Sequence, residues 1–448
     1  MLESLWVWTL ATGLISIIGY LLGTWTHDHF SKKNVPHLKP VPFFGNMGSV
    51  AFRIVSLPES LVDWYNRLKG HKYGGVYEFL NPIILLRDPE LIKMVTVKDF
   101  EHFVDRGVRI SEEVEPLFGK GLFSLKGQRW KDMRSTLSPA FTSSKMKNMF
   151  VLITECGKQL TDFLEKCIND KNMTIEGCKI EREGNILAVE MKDLFTRYTN
   201  DVIATSAFGI SCDSLNHPGN EFYVLGRDFT NFSGIRAMKL FGYMFSPKVM
   251  KLLRIKLLPD FVANFFRSLV HGTMSTREEK GIVRPDMIHL LMQAKKGTLQ
   301  GDDNVTNNSK ITKPKWEDDD ITAQVALFFL AGFDTASSLL SFASQLLAMH
   351  PDIQSRLQDE IDQTLKVDGG NLTYEAVHGM KYLDMVVSGS RFALMEAKIA
   401  LVQLLSRFNL KVVPKTAIPI KITKGSFNMT IDGGFWIGLE QRVKSETQ

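Results

Sequence analysis

The sequence predicts a mainly α-helical protein with small β-sheets, tied to a membrane by one N-terminal helix. Three observations carry this. Leu5 to Trp25 is apolar apart from small Thr, Ser and Gly residues and one tyrosine, and at 1.5 Å per residue it is long enough to span a bilayer core. Most of the chain beyond it repeats its apolar residues with helical period, which predicts helices over 145–167, 191–208, 285–294, 321–348 and 351–365. Short β-type runs at 73–79 and 83–86 flank Asn81-Pro82 and predict a hairpin; residues 418–437 alternate around Asp432-Gly433-Gly434 as a closing hairpin does.

The elements follow in order. Trp6, Trp8 and Trp25 stand near the ends of the apolar stretch, where interfacial aromatics sit. Glu3 precedes it and Lys32 and Lys33 follow, so the positive-inside rule places the N-terminus in the lumen and the body in the cytosol. A cleaved signal peptide is disfavoured, because no basic n-region and no small-residue cleavage site stand out. Pro36, Pro40 and Pro42, closed by Phe43-Phe44-Gly45-Asn46, make a stiff extended lead into the body. The expected organisation is an anchor over 1–27, a proline-rich linker over 28–46 and one body over 47–448. Residues 296–316 are polar and read as an exposed loop.

Composition bounds the function. With 448 residues and 44% hydrophobic content, the chain can bury a large core. Lys and Arg (54) nearly balance Asp and Glu (49), which argues against dedicated nucleic-acid binding and leaves room for a basic patch facing a membrane or an acidic partner. The four cysteines, Cys156, Cys167, Cys178 and Cys212, form no C-x-x-C pair, so no disulfide framework or zinc site is expected. Residues 222–270 mix eight phenylalanines with Arg236, Lys239, Lys248, Lys251, Arg254 and Lys256. That mixture suits a surface dipping into lipid headgroups, or an aromatic core under solvated cations.

Two short motifs carry chemistry. Trp130 and Arg134 share a helix face at i, i+4, where an indole N–H beside a guanidinium can hold a carboxylate; on spacing alone a surface arginine beside a half-buried tryptophan fits as well. Ala331-Gly332-Phe333-Asp334-Thr335 lies inside a long helix that begins at Glu317-Asp318-Asp319-Asp320, acidic residues that suit a helix N-terminus. A mid-helix glycine costs about 1 kcal/mol against alanine, and an Asp-Thr pair is costly to bury unsatisfied. By itself the stretch reads equally as a polar kink in a core helix.

The context of these motifs resembles the microsomal cytochrome P450 family, in wording nearest its insect, xenobiotic-metabolising branch. Gly121-Leu122-Phe123 and Gly127-Gln128-Arg129 precede Trp130, and Leu137-Ser138-Pro139-Ala140-Phe141 follows Arg134, as in the family. His102 to Arg106 resembles its B–C region, Met380 to Ser388 the start of its K helix, and Arg391 to Glu396 its L helix. The resemblance implies the P450 fold and a monooxygenase that inserts one oxygen atom into lipophilic xenobiotics or endogenous lipids. It implies heme as cofactor, held by Trp130, Arg134 and Gly332, and proton delivery by Asp334 and Thr335. NADPH electrons would arrive through the partner NADPH–cytochrome P450 reductase, at the endoplasmic reticulum membrane. Residues 222–270 would be the membrane-touching F–G region.

One block of the family pattern is missing. Between Ser388 and Gly389 the family's Glu-x-x-Arg pair, its meander and its heme-ligand cysteine loop are expected, and Gly389 and Phe392 stand where that pair belongs. The P450 fold is therefore expected to be incomplete at the K helix, meander and cysteine loop. No axial metal ligand is nominated, since none of the four cysteines has matching context and His350 and His378 read as structural. This form is expected to be inactive or nearly so, because no thiolate is present to drive O–O cleavage. The alternatives are a truncated splice product or gene-model artefact without catalysis, and a heme-free membrane binding protein.

Overall fold

The computed structural model describes residues 2–170, 177–284, 286–296, 316–367, 369–389, 391–425 and 428–442. Most of the polar loop expected over 296–316 lies outside them. The chain divides into two compact units.

The first unit comprises Met1–Val114, Phe232–Leu257 and Ile422–Asn428. It opens with the helix Leu2–Thr24, almost wholly exposed from Trp6 onward. The hairpin forms as Tyr73–Glu78 against Asn81–Leu86, with Val76 opposite Ile83. Its turn is Phe79-Leu80, with Phe79 at φ +56, so Asn81-Pro82 opens the second strand instead of forming the turn. The proline stretch runs along the first strand: Gly75 N–H donates to Pro36 at 2.7 Å, Leu38 N–H to Gly75 at 3.0 Å, and Asn46 Oδ1 accepts from Tyr77 N–H at 2.7 Å. Gly45 is required there, at φ +58 with the Phe79 carbonyl 2.3 Å from where a Cβ would stand. Met47, Trp64, Leu68, Val76 and Phe79 form the unit's core. Helices Gly234–Phe245 and Pro247–Leu252 bury Ala237, Tyr243 and Met250. They expose Ile235, Met238, Val249 and Leu252, the last 81% accessible.

The second unit comprises Glu115–Asn231, Leu258–Lys421 and Met429–Gln448. Its axis is the helix Asp318–Met349. Each acid at the start of that helix has a cationic partner: Lys120 with Glu317 (2.8 Å) and Asp320 (3.6 Å), Arg267 with Asp319 (3.0 Å), and Lys295 with Asp318 (2.6 Å). The acids thus complement the helix dipole and anchor neighbouring segments. Asp318–Met349 is one of two described helices apolar and long enough to cross a membrane, but most of it is buried, as befits a core helix. It packs on Met191–Ile203, Asp260–Lys280 and Arg391–Arg407, and the last of these lies on Ser143–Asn169. Phe222, Phe229 and Phe266 are buried in this core, so the phenylalanines of 222–270 divide: these three are aromatic core, while Phe261 stays exposed.

The sheet of this unit corrects the expected closing hairpin. Trp436–Gln441 pairs with Phe408–Lys411 on one side and Ile186–Glu190 on the other, with Ile180–Glu183 at the edge. Within 418–432 the Asp432 N–H donates to the Lys421 carbonyl at 2.9 Å, and the Met429 carbonyl accepts from Ser338 Oγ at 3.3 Å. Strand pairing followed burial: Leu410, Leu439, Ile437 and Val189 are all interior, whereas the alternation after Ile418 had no second buried face to match.

The helix Lys381–Val386 is only six residues long. The Glu360 carboxylate accepts the N–H groups of Tyr382 and Leu383, both at 2.9 Å, and so caps its start. Val387 is extended, and the next helix is Arg391–Arg407.

Candidate functional site

The helix Gly127–Leu137 places Trp130 and Arg134 on one face, with Leu137 buried and Met133 against the core. Trp130 is half-buried and Arg134 exposed. The Arg134 carbonyl accepts from Ser138 Oγ at 2.8 Å, and its guanidinium has no ion pair among the described residues.

The middle of Asp318–Met349 turns its three candidate residues in different directions. Gly332 is a close-approach position: a Cβ there would stand 2.4 Å from Ile203 Cδ1, so the missing side chain lets Met191–Ile203 pack against it. Thr199 Oγ1 donates to the Phe333 carbonyl at 2.8 Å in the same contact. The Asp334 carboxylate points to Lys192, whose ammonium donates to it at 2.9 Å and also reaches the Asp334 carbonyl (3.0 Å), Ser337 Oγ (2.8 Å) and Ser338 Oγ (2.7 Å). Burial pulls the Lys192 ammonium below the usual lysine range, and Asp334 opposes that pull. Thr335 turns the other way and donates to the Ala331 carbonyl one turn back.

Thr335, Ala331 and Gly332 form one wall of a pocket of about 300 Å³, open to solvent at the exposed Ala331 and Thr335. Met149, Met287, Phe328 and Phe392 form much of the rest. Of the five residues singled out in the sequence, the structure brings Gly332 and Thr335 to this cavity. Asp334, Trp130 and Arg134 are not part of its wall.

A heme-thiolate centre needs a thiolate, and the donor set does not fit one. The wall holds two thioethers and two hydroxyls but no cysteine or histidine. The four cysteines are free. Burial pushes the Cys167 and Cys178 thiols up to about 11 and Cys212 up to about 12, and raises Cys156 as well. All are therefore protonated thiols at neutral pH.

Two residues escaped the sequence reading. Lys192 sits at the start of an amphipathic helix, and nothing local ties it to Asp334, 142 positions later. Glu396 is 0% exposed and both its carboxylate oxygens lack a hydrogen-bond donor among the described residues. Burial raises its carboxyl well above the usual range. Its signal was legible: one acid within the apolar run Phe392-Ala393-Leu394-Met395-Glu396-Ala397.

A family model described as "Cytochrome P450" matches residues 35–388 of the chain. The chain belongs to the cytochrome P450 family. It is 57% identical to "Cytochrome P450 9e2" of Blattella germanica over 99% of both chains. It is 40% identical to "Cytochrome P450 9c1" of Drosophila melanogaster, over 84% of this chain and 71% of that one. "Cytochrome P450 6k1" of Blattella germanica is 37% identical over 83% of this chain and 69% of the relative. The insect branch and the helix-rich P450 architecture expected from the sequence are both borne out. The match to P450 9e2 runs over 528 positions whereas this P450 has 448 residues, so at least 80 positions of the alignment face a gap in this chain.

Proposed function

We propose that this chain is a microsomal P450 of the monooxygenase family whose 448-residue form performs little or no oxygen insertion. One observation carries the reading: the family-model match stops at Ser388, and no cysteine occurs after Cys212. The long gap against P450 9e2, with 99% of both chains covered, supports an internal block lost near 388/389, as exon loss would produce. Without an axial thiolate no electron density is pushed toward iron-bound oxygen.

The family's complete form would hold heme through Trp130, Arg134 and Gly332 and deliver protons through Asp334 and Thr335. It would oxidise lipophilic xenobiotics or endogenous lipids with electrons from NADPH–cytochrome P450 reductase. In this form Gly332 and Asp334 serve helix packing and a partly buried ion pair instead. The exposed apolar helix Leu2–Thr24 and Lys32-Lys33 beyond it support a single anchor in the endoplasmic reticulum membrane with a cytosolic body.

The deciding experiment is the reduced, CO-bound absorption spectrum of the full chain in membranes, with heme quantified on the same sample. We expect no thiolate-type Soret band. A red-shifted thiolate band with stoichiometric heme would overturn the proposal. The cavity beside Thr335 favours a second reading, a heme-free membrane protein that binds lipophilic ligands.

A further inference from the structure

We propose that the outer edge of the strand Asn81–Leu86 is a docking surface for a second copy of this chain, the two edges joining as an antiparallel strand pair.

The register of the hairpin leaves this edge open. Its sheet has two strands, and the first, Tyr73–Glu78, is covered on its far side. There the Gly75 N–H donates to Pro36 and the Gly75 carbonyl accepts from Leu38. The Tyr77 N–H donates to Asn46 Oδ1 and the Tyr77 carbonyl accepts the Asn46 N–H. In an antiparallel ladder each residue turns both backbone groups to one side, and its neighbours turn theirs to the other. Gly75 and Tyr77 face the proline stretch, so Gly74, Val76 and Glu78 face their opposite numbers Leu85, Ile83 and Asn81. Ile84 and Leu86 therefore turn N–H and C=O outward, and these groups have no partner among the described residues. Pro82 shares that edge, where its missing N–H removes no ladder bond.

Charge and symmetry select the occupant. An open apolar edge is a template for another strand unless charges guard it. Asn81–Leu86 carries no charged residue, and Ile83 and Ile84 are 38% and 45% exposed. Arg87 is turned back, its guanidinium donating to the carbonyls of Leu68 (2.8 Å) and His71 (2.7 Å). The edge is also complementary to itself. With Leu85 opposite Leu85 of the second copy, Ile84 of each chain meets Leu86 of the other. Each such pair exchanges two hydrogen bonds, so every outward N–H and C=O of Ile84 and Leu86 is satisfied in both copies. The pairing is two-fold symmetric and closes on itself, and the covered side of Tyr73–Glu78 ends the sheet at four strands. The hairpin turn lies against the exit of the N-terminal helix, where Thr26 Oγ1 donates to the Leu80 carbonyl at 2.7 Å. Two chains anchored in one bilayer thus keep these edges near the same membrane surface, at raised effective concentration.

The test uses the full chain in phosphatidylcholine vesicles, with flotation to confirm attachment. Leu85→Cys puts a thiol on the two-fold axis, at a non-hydrogen-bonded pair whose Cα atoms stand about 4.5 Å apart, within disulfide range. Copper–phenanthroline oxidation and a non-reducing gel read the dimer. Wild type reports any linkage through the four native cysteines, and Val283→Cys, at an exposed position of the second unit, reports random collision. We expect a dimer yield from Leu85→Cys at least tenfold above both controls. Adding Leu86→Pro removes an outward N–H while sparing every bond within the hairpin, and should lower the yield at least fivefold. Adding Ile84→Lys instead sets an ammonium on the edge of each copy and should act alike. Circular dichroism reports folding; if Leu86→Pro unfolds, Ile84→Lys decides. A yield no higher than the controls, or one that a folded edge variant leaves unchanged, overturns the proposal. Chains that cross-link at Leu85→Cys but fail to float would overturn the anchor reading while the dimer stands.

Discussion

Glu396 makes the stability of this P450 depend on pH in a direction opposite to ordinary paired carboxylates. Its side chain is 0% exposed on the helix Arg391–Arg407, with no donor on either oxygen among the described residues, and burial raises its carboxyl well above the usual range. In the unfolded chain a glutamate ionises near pH 4.3. Folding therefore takes up a proton at any pH between that value and the folded one. Stability is fully present below about pH 4.3 and falls by about 1.4 kcal/mol per pH unit above it, until the folded carboxyl ionises. Between pH 5 and 6 the loss is about 1.4 kcal/mol, a sizeable part of a typical folding free energy of about 5–15 kcal/mol. Asp201, also buried and raised, adds a slope of the same sign, so the comparison must be with Glu396→Gln, which removes only the Glu396 contribution. Urea unfolding of both proteins at pH 5, 5.5 and 6, followed by tryptophan fluorescence, measures it. The wild type should lose about 1.4 kcal/mol more than the variant across that range. Glu396→Met, which removes the unsatisfied carboxyl, should be more stable than wild type at pH 7. Parallel pH profiles for wild type and Glu396→Gln would refute the argument.

Two further outcomes follow from the helix contacts. Gly332→Ala places a Cβ 2.4 Å from Ile203 Cδ1 and should destabilise by about 1–3 kcal/mol through overpacking; adding Ile203→Ala should return most of the loss, as read by thermal unfolding of the single and double variants. Lys192→Met leaves the Asp334 carboxylate, 21% exposed, without its ammonium. That should cost about 1–3 kcal/mol, because the pair is only partly buried, and Lys192→Met with Asp334→Asn should be more stable than the single variant in a double-mutant cycle.

The local patterns carried most of the fold. Helical periods set the cores of helices such as Ser143–Asn169, Asp318–Met349 and Pro351–Val367 to within a few residues, because an amphipathic repeat must bury one stripe wherever it packs. The N-terminal apolar helix was legible from its length and composition, and the first hairpin from its short β-type runs. That no cysteine follows Cys212 needs no coordinates to detect.

Only the tertiary structure decided which way the motif residues face. Successive helical residues are rotated by about 100°, so Asp334 and Thr335, adjacent in sequence, serve different neighbours: Lys192 on one side and the cavity on the other. The partner of Asp334 lies 142 positions away, and the strand that pairs with Trp436–Gln441 begins at Phe408 or at Ile186; neither leaves a local trace. Whether Glu396 is charged was likewise beyond the sequence, because burial is a property of everything packed around a side chain. The sequence by itself determined the family and the N-terminal apolar helix, which are written in residue identity and order. The rotation of each helix and the protonation of buried groups such as Glu396 depend on long-range packing, and only the folded chain settles them.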